Sequence, residues 1–222
     1  YPVQLEDISP NFIKAIVAAE DSGFYKHKGL DHLGLLRALY TNIRERRVLQ
    51  GGSTITQQLS KNLFFSFERN WVRKIKELLV SLQLEVTFSK DQILEAYSNQ
   101  IYFGSGAYGV EEASQVYFRK RARDLTVLQG ALLAGLPNSP NNANPFTDYQ
   151  RSMRRAEYIL TRMVKEKLIS TEERNISLAS PLDLTRHRTD DHPNRSFIHY
   201  VIEKLERVYG HSFVHFCSLN LV

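Results

Sequence analysis

Apolar residues recur at three- and four-residue spacing along most of this chain, and no sustained alternation of apolar and polar residues interrupts them. Such spacing restricts the fold to packed helices, because a helix face repeats every 3.6 residues whereas a strand face repeats every two. Ser9 and Pro10 mark a helix start, and Phe12, Ile13, Ile16, Val17 and Glu20 form one stripe on it. Leu33, Leu36, Leu39, Tyr40 and Ile43 predict a second helix, stopped by Gly51-Gly52, and 54–63 a third. In 71–86 the apolar positions are 71, 72, 75, 78, 79, 82 and 86, a long fourth helix. Ser89-Lys90-Asp91-Gln92 is a capping box that opens a helix through Asn99. After a glycine loop at 104–109, the stretches 110–118, 126–136 and 149–164 predict three more, the middle one ended by Pro137 and a loop rich in Asn and Pro. Residues 177–195 read as linker, 197–209 as a last amphipathic helix, and 211–222 carry no assignable pattern.

With 222 residues, 42% of them hydrophobic and 24% charged, the chain is long enough for one sizeable core. The expectation is a mainly α, bilobed domain. Lys and Arg outnumber acids by 29 to 24, which admits an anionic partner: nucleic acid, a phosphate ester or an acidic membrane surface. A single cysteine, Cys217, excludes an internal disulfide framework and any multi-cysteine metal site. No apolar run approaches the ~18 residues of a membrane span. The start at Tyr1 reads as that of a processed, excised or truncated chain.

Glu20-Asp21 ends the first helical run and is followed by Phe24, His27 and Gly29. Because Glu20 continues the apolar stripe, its carboxyl is expected to face the interior, with a raised pKa suited to proton transfer. Asp21 points about a quarter turn away. Gly51-Gly52-Ser53-Thr54-Ile55-Thr56-Gln57-Gln58 places glycines and hydroxyls at a helix start. Free backbone N–H groups there attract a phosphate or pyrophosphate, although an ordinary N-cap with a solvated face would read the same way. Thr54, Gln57 or Gln58, and Lys61 lie one turn apart on that helix.

Arg73, Lys74 and Glu77 form either a surface ion pair or the second carboxylate of a glycosyl-transfer site with cations for a charged leaving group. Leu63, Phe64, Phe65, Phe67 and Trp71, flanked by Lys61, Arg69, Arg73 and Lys74, resemble an interfacial membrane contact, with ordinary core packing the alternative. Gly104 to Gly109 matches a dinucleotide fingerprint, with Asp124 downstream, but the strand that such a fingerprint requires is missing. His27 and His32 lack a third ligand at suitable spacing, and no Asp-x-Asp occurs.

Together these motifs resemble the peptidoglycan glycosyltransferases, over roughly residues 5–170. The blocks that carry the resemblance run in order: Glu20-Asp21-x-x-Phe24-x-x-His27-x-Gly29; Gly51 to Gln58 with Lys61-Asn62; Arg73-Lys74-x-x-Glu77; and Ile93-Leu94-Glu95-x-Tyr97-x-Asn99. The stretches 106–111 and 131–140 are similar too. Departures stand at Ser98, Arg119, Gln129 and Ala143, where the family usually has an apolar residue, Gly, Glu and Tyr.

The resemblance implies a lysozyme-like helical domain with a small membrane-facing lobe around residues 60–72. It implies that Glu20 acts as general base on the 4-hydroxyl of an acceptor lipid II, and that undecaprenyl pyrophosphate leaves with inversion. Glu77, Lys61, Arg73 and Lys74 would position or neutralise the pyrophosphate, with a Mg or Mn ion as an optional helper and no organic cofactor. Ser53, Thr54, Gln57 and Gln58 would line the cleft; Asp21, Phe24, His27, Gly52, Asn62, Glu95 and Asn99 complete the implied substrate contacts.

The implied partners are lipid II, the growing glycan strand, the membrane surface and other cell-wall synthesis proteins, not nucleic acid. The implied place is the extracytoplasmic face of the bacterial cell membrane, with the anchor outside this chain. Residues 1–175 would form the transferase domain and 176–222 a linker and extension. A transpeptidase domain is not expected, since neither Ser-x-x-Lys nor Lys-Thr-Gly occurs. A lysozyme-like hydrolase and an inert lipid-binding scaffold are the rival readings.

Overall fold

The computed structural model describes residues 2–31, 52–64, 71–140 and 142–185. The helix expected at 33–43, the one at 197–209, and Gly51, His32, Phe65, Phe67 and Arg69 lie outside the described residues. Within them the fold is mainly α, as the spacing predicts. Its α-helices are α1 (Pro10–Glu20), α2 (Ile55–Phe64), α3 (Trp71–Thr87), α4 (Lys90–Gln100), α5 (Val110–Phe118), α6 (Val127–Gly135), α7 (Tyr149–Lys165) and α8 (Thr171–Ala179). Extended pairing among the described residues is confined to one bridge, Tyr102 to Tyr108, across the glycine loop.

Local chemistry explains most boundaries. Ser9 Oγ accepts the Asn11 N–H at the start of α1, and Pro10 occupies its first turn. Ser89 and Gln92 form the reciprocal capping box of α4, and Thr126 and Gln129 that of α6. Sequence spacing missed α8, although Ser170 and Glu173 build a third box at its start.

The core is organised around α6, in which every residue from Leu128 to Gly135 is buried. A helix apolar all round needs cover on all sides, and α1 and α7 supply most of it. Gly130 lets α1 approach: a Cβ there would meet the Phe12 nitrogen at 2.9 Å. Phe12, Ile16, Leu94, Tyr97, Phe103 and Tyr117 complete the buried centre. Truncating one of these aromatics to alanine would cost about 3–5 kcal/mol.

One expectation needs correction. The segment 177–195 does not begin as linker: α8 runs to Ala179, Leu182 is buried, its carbonyl accepts Gln129 Nε2 at 3.0 Å, and Thr185 N–H bonds the Tyr117 carbonyl. The apolar stripe of α3 faces outward. Its buried residues are Glu77 and Ser81, while Trp71, Val72, Ile75, Leu79 and Val86 are all exposed. Polar contacts join α3 to α2 instead, among them Ser60 Oγ to the Glu77 carbonyl and Thr56 Oγ1 to Glu85.

Two of the four family departures, Arg119 and Gln129, acquire reasons. Arg119 ends α5 in the left-handed conformation (φ 54°), which explains why glycine is the usual residue there. Gln129, fully buried, accepts the Thr126 N–H through its oxygen and donates through its amide to Leu182; a glutamate could make only the first bond.

Candidate active site

Glu20 closes the last turn of α1, and each of its carboxylate oxygens receives one amide. Gln58 Nε2, from α2, donates to Oε2 at 2.8 Å, and Asn138 Nδ2, from the loop after α6, donates to Oε1 at 2.6 Å. Burial pushes the carboxyl above its ordinary range, and the nearby Asp21 charge adds to that. The Gln58 bond and the guanidinium groups of Arg155 and Arg162 on α7 pull the other way. Arg162 also donates to the Ala19 carbonyl at 3.2 Å, and Arg155 Nε to the Gly135 carbonyl, so both are fixed beside the end of α1. The outcome is a carboxyl raised above its ordinary range, with one directed donor on each oxygen, a setting suited to proton transfer.

Asp21 turns away from that site and is buried. Its Oδ2 accepts the Ile55 N–H at 3.1 Å, and both oxygens contact His27 Nε2, at 2.9 and 3.0 Å. Thr54 Oγ1 accepts the Gln57 N–H and donates to the Gly29 carbonyl. The start of α2 is therefore occupied from within: the carboxylate at this helix N-terminus is the chain's own Asp21, and Thr54 is its cap. Phe24 lies in the core, with Lys90 Nζ 4.4 Å from its ring centre.

Glu77 is buried on α3 and lies 3.2 Å from Arg73 Nη1 and 3.2 Å from Lys74 Nζ. Lys74 also reaches Ser53 Oγ at 3.4 Å, linking α3 to the segment before α2. Gln58 contacts Glu20 from one side of α2, while Ser60 contacts α3 from nearly the opposite side. At 100° per residue, Gln57 and Lys61 fall on the arc between them. Lys61 and Asn62 are exposed, as is Gly52 before the helix, whereas Gln57 is buried. Helix α2 thus touches Glu20 through Gln58 and the backbone of α3 at Glu77 through Ser60.

Glu95 and Asn99 do not join this group. Glu95 Oε2 accepts the Leu5 N–H at 2.7 Å, and the Asn99 amide exchanges two hydrogen bonds with Val3, so both tie the N-terminal segment to α4. Sequence reasoning missed Asn138, Arg155, Arg162 and the role of Tyr97, whose hydroxyl donates to Gln58 Oε1 at 3.2 Å. The one available signal was the Leu136-Pro137-Asn138 stretch, which marked the loop but not its contact with Glu20.

A family model described as Transglycosylase matches residues 1–164. The chain is 46% identical to penicillin-binding protein 1A of Aquifex aeolicus, across 83% of this chain and 25% of that protein. It is 42% identical to penicillin-binding protein 1A of Haemophilus influenzae, across 84% of this chain and 22% of the relative. The crystal structure of penicillin-binding protein 1A from Haemophilus influenzae superposes with a TM-score of 0.53 at 26% identity, covering 95% of this chain and 21% of that one. The chain spans about a quarter of the length of the curated relatives it matches.

Proposed function

The chain belongs to the transglycosylase family, and on that premise we propose that it polymerises lipid II into peptidoglycan glycan strands, by inverting β-1,4 glycosyl transfer with release of undecaprenyl pyrophosphate. The Glu20 carboxyl carries the reading: desolvated, raised above its usual range and held by one amide on each oxygen. Glu20 takes the proton from the acceptor 4-hydroxyl as that oxygen bonds to the anomeric carbon of the growing strand. The bond from that carbon to the pyrophosphate breaks, and its electron pair leaves with the phosphate oxygen. A single displacement of this kind inverts the centre.

The Glu77 cluster supports the leaving-group side. Arg73 and Lys74 bring their positive charges together at Glu77, with Lys61 on the adjoining arc of α2. Fixed positive charge near a departing pyrophosphate stabilises the transition state more than the ground state. In this arrangement Glu77 positions two cations and moves no proton.

Among the described residues, no group of three or more His, Cys, Asp or Glu side chains could hold a metal ion, and Glu77 is already faced by two cations. A Mg or Mn ion in such a site is commonly held by one or two carboxylates together with the substrate's own phosphate oxygens, and no step above uses one.

The inverted face of α3 supports contact with a membrane, the phase in which a lipid-linked substrate resides. From Trp71 to Val86 the exposed apolar stripe is about 22 Å long, with Lys74 and Lys76 exposed beside it. No helix among the described residues is long and apolar enough to cross a bilayer, so this face would lie on the surface. The extracytoplasmic surface, where glycan strands are assembled, is the proposed location. The exposed face extends past the 60–72 lobe expected from sequence.

The test is incubation of the purified chain with lipid II in detergent, followed on a gel, beside Glu20→Gln. Polymer from the parent and none from the variant supports the reading. A fully active Glu20→Gln, or release of soluble fragments from mature glycan by the parent, would overturn it, the latter in favour of a hydrolase. Lipid II binding without turnover would point to a scaffold.

A further inference from the structure

We propose that Tyr97 is a positioning residue that fixes which end of the Gln58 amide faces Glu20, and thereby favours the proton-accepting form of the base. The proposal rests on the reading of Glu20 as the base. Tyr97 stands on α4 with its side chain fully buried. Among the described residues its hydroxyl has one hydrogen-bond partner, Gln58 Oε1 at 3.2 Å. The other end of the same amide, Nε2, donates to Glu20 Oε2 at 2.8 Å. The two bonds form a directed chain: phenol to amide oxygen, amide nitrogen to carboxylate.

A glutamine amide has two ends of nearly equal shape and opposite hydrogen-bonding character. Turned over, Gln58 would present its oxygen to Glu20, a partner for a protonated carboxyl and a poor one for a carboxylate. The NH2 end would then face Tyr97, whose hydroxyl proton would need a new acceptor inside the core. Buried polar groups without partners are disfavoured, so the phenol holds the amide in the donating orientation. Burial pushes the Tyr97 phenol well above its usual range, and the Glu20 and Asp21 charges add to this, so it stays a neutral donor.

Among the described residues, the charged and titratable groups facing Glu20 are Arg155 and Arg162 from α7, Asp21 from the following turn and Tyr97 from α4, with neutral Asn138 from the loop after α6. Of these, Tyr97 is the one that contacts the Gln58 amide. Asn138 is exposed and can reverse its own amide at the surface; Gln58, tied to a buried phenol, cannot do so freely.

The deciding experiment is titration of the Glu20 carboxyl by 13C NMR in the intact chain, assigned by its loss in Glu20→Gln. Tyr97→Phe removes one oxygen and keeps the ring in the core. It should raise the Glu20 midpoint by about one pH unit, a tenfold change in the proton equilibrium. In a Gln58→Leu background the same substitution should produce no shift, because the route through the amide is gone. An unmoved midpoint in Tyr97→Phe, or a shift that persists without Gln58, would overturn the proposal. In the unsubstituted chain, strong NOEs between the Tyr97 ring and the Gln58 amide protons would also overturn it, by showing the NH2 end towards the phenol.

Polymerisation of lipid II against pH, measured separately, should show the acid limb of Tyr97→Phe displaced upward with the limiting rate retained. A merely structural role would lower the rate at every pH alike. If the parent makes no polymer, the transferase reading fails while the titration still decides the role of Tyr97.

Discussion

Helices α6 and α3 place their apolar side chains in opposite surroundings. Helix α6 buries every residue from Leu128 to Gly135, and the body packed on it fixes the end of α1 that carries Glu20. Helix α3 buries Glu77 and Ser81 and leaves its apolar stripe outside. The two candidate carboxylates follow their surroundings. Glu20 is held by neutral amides and a desolvated setting, which leaves its proton negotiable; Glu77 touches two cations, which commits it to an ion pair. Residue type alone would give both glutamates the same role, and packing separates them.

Replacing the base would break the comparison most directly. Glu20→Gln should lower the polymerisation rate roughly 100- to 10,000-fold, measured with lipid II in detergent. Where activity is measurable in the parent, it should rise with pH through a midpoint above the ordinary glutamate range, because the base must first lose its proton.

The apolar face of α3 comes next. Leu79→Asp combined with Trp71→Asp should weaken binding to anionic vesicles on the order of 10- to 100-fold in co-sedimentation, given roughly 1.5–3 kcal/mol for each large side chain transferred from water. Because both residues are exposed, thermal unfolding should change by no more than about 0.5 kcal/mol per site. Unchanged vesicle binding would return that face to the status of bare surface.

Stability sharpens the contrast between the two glutamates, because their amide variants should move in opposite directions. Glu77→Gln removes the charge that two cations share and should destabilise the fold by about 1–3 kcal/mol. Glu20→Gln should raise the unfolding temperature at neutral pH. A carboxyl raised in the folded state keeps its proton where the unfolded chain has lost its own, so the parent loses stability as pH rises through that window. The advantage of Glu20→Gln should therefore fade as pH falls to the ordinary glutamate value. Thermal melts of both variants at several pH values would check this, and equal shifts would erase the distinction.

The smallest expected effect tests the body alone. Arg119→Gly, at a left-handed helix end, should stabilise by about 0.5–1 kcal/mol in denaturant unfolding, the relief of a side chain at positive φ less the entropy cost of glycine.

Sequence by itself determined whatever depends on neighbours within a turn or two. The caps at Ser9, Ser89 and Thr126, the ends of α1 and α5, and the contact of Arg73 and Lys74 with Glu77 all follow from spacings of two to four residues, which the helix converts directly into proximity. The inward direction of Glu20 was legible for the same reason, as the next member of an apolar stripe. Tertiary structure decided which polar atoms meet that carboxyl. Asn138 reaches it across 118 residues and Gln58 across 38, and nothing local to either position encodes those partners. It decided that the N-terminus of α2 is filled by Asp21, that Glu95 and Asn99 grip the N-terminal segment, and that the stripe on α3 faces out. Periodicity shows that a helix has an apolar face; only the other helices determine whether anything in the protein covers it.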